Sequence, residues 1–164
     1  VKGLVGVKGW GMAGMLAGTL ALGAMVLPAH GQDTQAIGPA IFTRCAACHT
    51  PSGAGVPGTF PPLGTDVRTL AANPAGRRYL ALVVVKGLMG PITVEGKAYR
   101  NVMPAQGLDD AGIAAVLNHV GTAIARQGPS FTPFTASEVA TLRASGADLG
   151  PGQIAALHAA AGGQ

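Results

Sequence analysis

The chain's only two cysteines stand three positions apart, in Arg44-Cys45-Ala46-Ala47-Cys48-His49-Thr50. Two thiols at that spacing can serve three chemistries. They can cycle between dithiol and disulfide, supply half of a tetrahedral zinc site, or add across the two vinyl groups of a haem. The redox use expects a βαβ context, whereas the flanks here are helical or rich in Gly and Pro. Structural zinc needs four ligands. Beyond the first 31 residues the other histidines, His119 and His158, stand alone on predicted helices. The third use accounts for the neighbouring His49 as well. A two-residue gap on a helical turn separates the sulfurs suitably, and the next residue then lies under the iron as a ligand.

Several elements must position that motif. Asp33 or Thr34 can cap a helix that runs through Phe42 into the cysteines, with Pro51 beyond its end. Ser52–Gly64 is a Gly/Pro-rich loop ending in Phe60-Pro61-Pro62-Leu63. A second helix is predicted near Asp66–Ala72. A third spans Ala75–Lys86, started by Asn73-Pro74 and stopped by Gly87. A loop with a tiny hairpin at Glu95-Gly96 leads to Met103-Pro104. Asp109 and Asp110 open a fourth helix, Asp110–Ala125, with an apolar stripe at Ile113, Val116, Leu117, Val120 and Ile124. Beyond Gly128-Pro129, a capping-box pattern at Thr135–Glu138 precedes a helix over Ser137–Ser145, and Pro151 starts another over Pro151–Ala160. No repeat and no extended sheet is expected.

The first 31 residues read as a secretory signal peptide. Lys2 and Lys8 precede an uncharged apolar run, Gly9–Leu27, and small residues at Ala29 and Gly31 suit cleavage after Gly31. The same run is long enough to serve as an uncleaved membrane anchor. Residues 32–164 keep nine of the eleven Lys and Arg and all seven acids, a net charge of +2. That balance, with no run of Lys or Arg, argues against a nucleic-acid partner. Export exposes a C-x-x-C pair to oxidation, and there are no other cysteines to build a disulfide framework.

The chain resembles the class I c-type cytochromes. The likeness lies in Gly38 and Phe42 before the haem motif, the Cys-Ala-Ala-Cys-His sequence, Phe60-Pro61-Pro62-Leu63, Met103-Pro104, and the helix at Leu108–Val120. It covers roughly Gln35–Ala125 and implies an all-α fold of four to five helices wrapped around one covalently attached haem c. The domains expected are a signal peptide (1–31), a cytochrome c domain (32–127) and a C-terminal helical extension (128–164). By resemblance, His49 and Met103 are the axial iron ligands, with Met89, and after it His119 or His158, as alternatives to Met103. The carbonyl of Pro61 or Pro62 orients His49. Phe60, Pro62, Leu63 and Tyr99 line the haem pocket. Gly38 lets the first and fourth helices approach, and His119 takes a structural place where they meet. His158 is expected on a helix surface. Arg77, Arg78, Lys97 and Arg100 are candidates to meet haem carboxylates or a partner.

Two axial ligands leave no open position on the iron, which points to single-electron transfer rather than oxygen or peroxide chemistry. The leading expectation is a periplasmic electron carrier rather than an enzyme. Its electron donor would be an exported dehydrogenase, and a downstream redox acceptor would lead toward the respiratory chain. The tail from Gly128 would dock on a partner. The alternatives are a free carrier, a carrier anchored through residues 9–27, and a haem enzyme or gas sensor with a labile sixth ligand.

Overall fold

Helix α1 (Asp33–His49) runs unbroken into the cysteine–histidine motif, as its pattern predicted. It stops at Thr50, which adopts a left-handed φ of 64°, unusual for a β-branched residue. The turn is held by Gly53 N–H on the Thr50 carbonyl (3.0 Å) and Ala54 N–H on the Thr50 hydroxyl (3.1 Å). The structure, a computed structural model, describes residues 33–164 together with Gly3 and Gly6, and residues 33–36 by backbone alone. Apart from those two glycines, the expected signal peptide lies outside the described residues. Among the described residues no helix is long and apolar enough to cross a membrane.

Five further helices and a hairpin follow. They are α2 (Thr65–Ala71), α3 (Pro74–Lys86), β1 (Ile92–Val94), β2 (Lys97–Tyr99), α4 (Asp110–His119), α5 (Ala136–Ser145) and α6 (Pro151–Ala160). Three helix starts, those of α3, α4 and α5, use the caps visible in sequence. Asn73 Oδ1 accepts from Gly76 N–H and Asp109 Oδ1 from Gly112 N–H, each at 2.8 Å, and the Thr135 hydroxyl accepts from Glu138 N–H at 3.1 Å. Strands β1 and β2 pair antiparallel, Ile92 opposite Tyr99. Glu95 and Gly96 both have positive φ, 50° and 74°, as a two-residue hairpin turn requires.

The fourth helix departs from expectation at its end. After His119 it widens into a π-helical segment, Val120–Ile124. Gly121 lies in the contact that accompanies this change: a Cβ there would stand 2.2 Å from the Phe131 ring. The Ala125 carbonyl accepts from Arg68 Nε at 2.6 Å, which holds the segment's exit. Phe131 comes from the chain just past the segment, and Arg68 lies 57 residues before Ala125.

Helix α1 packs against α4, α5 against α3 and α4, and α6 against α3 and β1. One core unites Phe42, Leu70, Leu82 and Ile113 with Phe134, Val139 and Ile154 of the tail. The tail's apolar face therefore covers the chain's own interior. At the α1–α4 contact, a Cβ on Gly38 would come 2.5 Å from the Ala115 carbonyl oxygen. Gly38→Ala should therefore destabilise despite alanine's better helix propensity. Overpacking costs about 1–3 kcal/mol, against ~1 kcal/mol gained from propensity. A thermal or denaturant melt showing equal or higher stability would mean the two helices separate more easily than this contact indicates.

Candidate haem site

The end of α1, the loop before α2 and the chain leading to α4 enclose a largely apolar cavity of about 270 Å³. Its predominantly apolar lining, with a few convergent polar groups, suits a cofactor. Cys45, Cys48 and His49 line it from α1, and Met103 lines it from the loop before α4. Both cysteines are free thiols. Burial pushes the Cys45 thiol up in pKa, with the Arg44 charge opposing.

His49 is buried and its Nδ1 lies 2.8 Å from the Pro61 carbonyl oxygen. With Nδ1–H donating there, Nε2 keeps its lone pair for a metal. Burial lowers the ring's pKa, partly offset by the Pro61 bond. The Pro61 bond leaves Nε2 as the ring atom with no protein partner among the described residues. Pro61, not Pro62, supplies the carbonyl. Its loop is braced by Val56 and Phe60, which exchange backbone bonds at 2.9 and 2.8 Å, and by Leu63 N–H on Gly53 O at 2.7 Å. Gly55, with φ of 63°, sits so close that a Cβ would stand 2.3 Å from the Phe60 oxygen and 2.6 Å from that of Pro61. Only glycine fits this turn.

Met103 is held from behind. Its N–H donates to Leu88 O at 3.0 Å and its carbonyl accepts from Leu88 N–H at 2.8 Å. Gln106 N–H adds a bond to Val84 O at 3.0 Å. The loop is thus tied to the end of α3 while the thioether side chain reaches the cavity wall. Met89 is 53% exposed and does not line the cavity. Phe60, Pro62, Leu63 and Tyr99 all line it. His119 stays away from it and stacks at a tilt on Phe42, ring centroids 5.2 Å apart.

The expected surface position of His158 is corrected. It is 2% exposed and lines the cavity, with Nε2 2.9 Å from Asp66 Oδ2. Asp66 and Tyr79 line the cavity too and were not among the expected site residues. The signal for His158 was present in the sequence: it falls four residues after Ile154, on the same helical face, and both are buried. Arg77 and Arg78 are engaged with the tail. Arg77 grips Glu138 through two bonds (2.6 and 2.7 Å), and this lowers the Glu138 pKa. Arg78 binds the hydroxyl and carbonyl of Ser145.

These contents decide among the three chemistries. Among the described residues, no three His, Cys, Asp or Glu are grouped to hold a metal ion, so zinc has no site. The sheet among them is a single antiparallel hairpin, so a βαβ redox context is missing as well. The family model for cytochrome c matches residues 35–123. The chain belongs to the cytochrome c family. Two relatives are similar along most of their length, both cytochrome c-552 of Thermus thermophilus. One is 45% identical over 148 residues, covering 88% of this chain and 91% of the relative. The other is 47% identical over 125 residues, covering 74% of this chain and 94% of the relative. The cytochrome is of class I and carries one covalent haem c, and Cys45 and Cys48 fit its Cys-x-x-Cys-His attachment motif. It is an electron carrier rather than a catalyst. The residues present fit the group: two free thiols, a histidine with its second nitrogen already engaged, and an apolar enclosure.

Proposed function

We propose that this cytochrome works outside the cytoplasm, takes single electrons from an exported dehydrogenase and passes them to a redox protein toward the respiratory chain. We propose His49 and Met103 as the axial ligands. The observation that carries the carrier reading is that both side chains line one apolar cavity and both are braced by backbone hydrogen bonds. Two fixed protein donors, one nitrogen and one sulfur, would leave a bound haem iron no open position and would favour its reduced state. The haem, when bound, supplies one-electron chemistry. The protein's part is to hold the ligands still, keep water out and present an edge to a partner.

That edge is where Arg44 and Val102 line the cavity while exposed. A positive charge beside an apolar residue suits a transient partner with an acidic rim. The tail's length does not bear on the partner, because its apolar face is buried within the chain. The proposed export rests on the leader-like residues 1–31, and the mass of the mature protein checks it. The test of the carrier reading is carbon monoxide added to the reduced protein. We expect an unchanged visible spectrum over minutes. Rapid, tight binding would instead assign a labile sixth ligand and an enzyme or sensor role.

A further inference from the structure

Asp66 and His158 form the one buried pair of ionisable side chains facing the cavity among the described residues, 8% and 2% exposed. We infer that this pair binds a proton in step with reduction of the haem, so that the tail residue His158 sets a pH dependence of the protein's potential.

The carboxylate is used on both sides. Oδ2 faces His158 Nε2 at 2.9 Å, and Oδ1 accepts from the Gln164 N–H at 2.9 Å. With Nε2–H donating to Asp66, Nδ1 is the atom left to take a proton, and it makes no hydrogen bond to a described residue. The ring is clamped: Tyr79 meets it edge-on, centroids 5.0 Å apart, and a Cβ on Gly163 would stand 2.3 Å from its Cε1.

Other charges around the pair are spoken for. On α3, Arg77 and Arg78 bind Glu138 and Ser145, and Lys86 binds the Ala147 carbonyl. Tyr79 is held neutral, burial driving its pKa far up with Asp66 adding to the effect. On α2, Arg68 is drawn to the carbonyls of Ala125 and Pro129. In the hairpin, the Glu95 carboxylate accepts from Thr65 N–H, β1 carries no ionisable residue, and Lys97 of β2 is exposed. Among these neighbouring side chains none forms an ion pair with Asp66 or His158, so the pair's own charge depends on its two members. It is −1 with His158 neutral and zero with His158 protonated.

A buried net charge is costly, and an added electron nearby makes a second negative charge costlier still. As one electron arrives from the donor protein, one proton from water binds Nδ1. On oxidation the electron leaves to the acceptor and the proton returns to water. Reduction therefore raises the affinity of His158 for its proton, and the potential falls as pH rises through the coupled range. The inference rests on the haem filling this cavity and not on the identity of the sixth ligand or the partner.

The test is the midpoint potential of the full holoprotein, measured by spectroscopic titration from about pH 5 to pH 8, where histidines ordinarily change charge. The expected result is a segment with slope approaching about 59 mV per pH unit, the one-electron equivalent of a tenfold change in proton concentration. His158→Gln, which keeps a hydrogen-bonding side chain, should flatten that segment, and Asp66→Asn should shift it. Should either variant fold poorly, proton uptake per electron, measured on reducing the unmodified protein in weak buffer, gives the answer without substitution. Visible spectra recorded at each pH separate a change of iron ligand from the effect sought. A flat potential with no proton uptake overturns the inference. So does a slope that persists in folded His158→Gln.

Discussion

A chain ended after Gln127 is expected to lose several kcal/mol of stability and to melt at a much lower temperature than the full cytochrome. The truncation removes Phe134, Val139 and Ile154, which are 3%, 0% and 0% exposed. Each fully buried side chain of this kind contributes roughly 1.5–3 kcal/mol. The net loss is smaller than the gross contribution of these contacts, because the shortened chain no longer bears the entropy of ordering the tail, a cost that the docked tail's burial already exceeds. Three further losses add to it. Leu82 of α3, fully buried, would be uncovered where Gly146 now sits on its methyl groups. Arg77 would lose both Glu138 and the Phe134 ring, over which its guanidinium lies at 3.7 Å. Asp66 would keep a carboxylate at the cavity wall with neither His158 nor the Gln164 N–H to bind it, and an unpaired buried charge is among the costliest defects a fold can carry. Against a typical total of about 5–15 kcal/mol, the shortened protein should be marginal. Chemical denaturation of the two holoproteins measures it. Equal midpoints would mean that the tail merely rests on the domain and that its docking role lies elsewhere. Ile154→Ala, expected to cost about 2–5 kcal/mol, gives the same answer with the chain intact.

The tail also marks where sequence reading stops. Its helices were legible, Pro151–Ala160 to the residue, because Pro and the Thr135 cap act locally. Which surface those helices would meet was not. The length of the segment suggested a partner, and its burial against α3 and α4 depends on a chain path that no local pattern encodes. The π-helical end of the fourth helix was hidden for the same reason, since Phe131 and Arg68 meet it only after folding. The haem motif was legible because its chemistry is compressed into Cys45–His49. The orienting carbonyl could be narrowed to Pro61 or Pro62, and the choice waited on the loop's geometry. Asp66 and His158 were missed because 92 residues separate them in sequence. Asp66 alone reads as an ordinary polar residue at a helix start, and only the spacing of His158 from Ile154 pointed to a buried face.

Met103→Ala is expected to have the largest functional effect of any single change outside Cys45–His49. The substitution removes the proposed sulfur donor and leaves its support in place, because the two backbone bonds with Leu88 and the Gln106–Val84 bond do not involve the side chain. Losing a half-buried methionine should cost stability at or below the low end of the ~2–5 kcal/mol seen for fully buried ones, so the variant should still fold. Its iron site would then be open to water. Oxygen is a harder donor than thioether and stabilises the oxidised state, so the potential should fall by something on the order of 0.1–0.3 V, a fraction of the ~0.8 V range that axial ligands span. The reduced variant should bind carbon monoxide, which the unmodified protein should resist. Met89→Ala is the matched control. Met89 is more than half exposed, and its backbone N–H bonds to Pro151 O on the side of α6, so its loss should leave both potential and carbon monoxide binding as they were. If Met89→Ala moves the potential and Met103→Ala does not, the sixth ligand belongs to Met89, and the loop between Gly87 and Met103 must reorganise around the cofactor. If neither does, the ligand is not a methionine. The direction of the shift matters as much as its size: a rise in potential on losing Met103 would contradict sulfur ligation, whatever the spectrum.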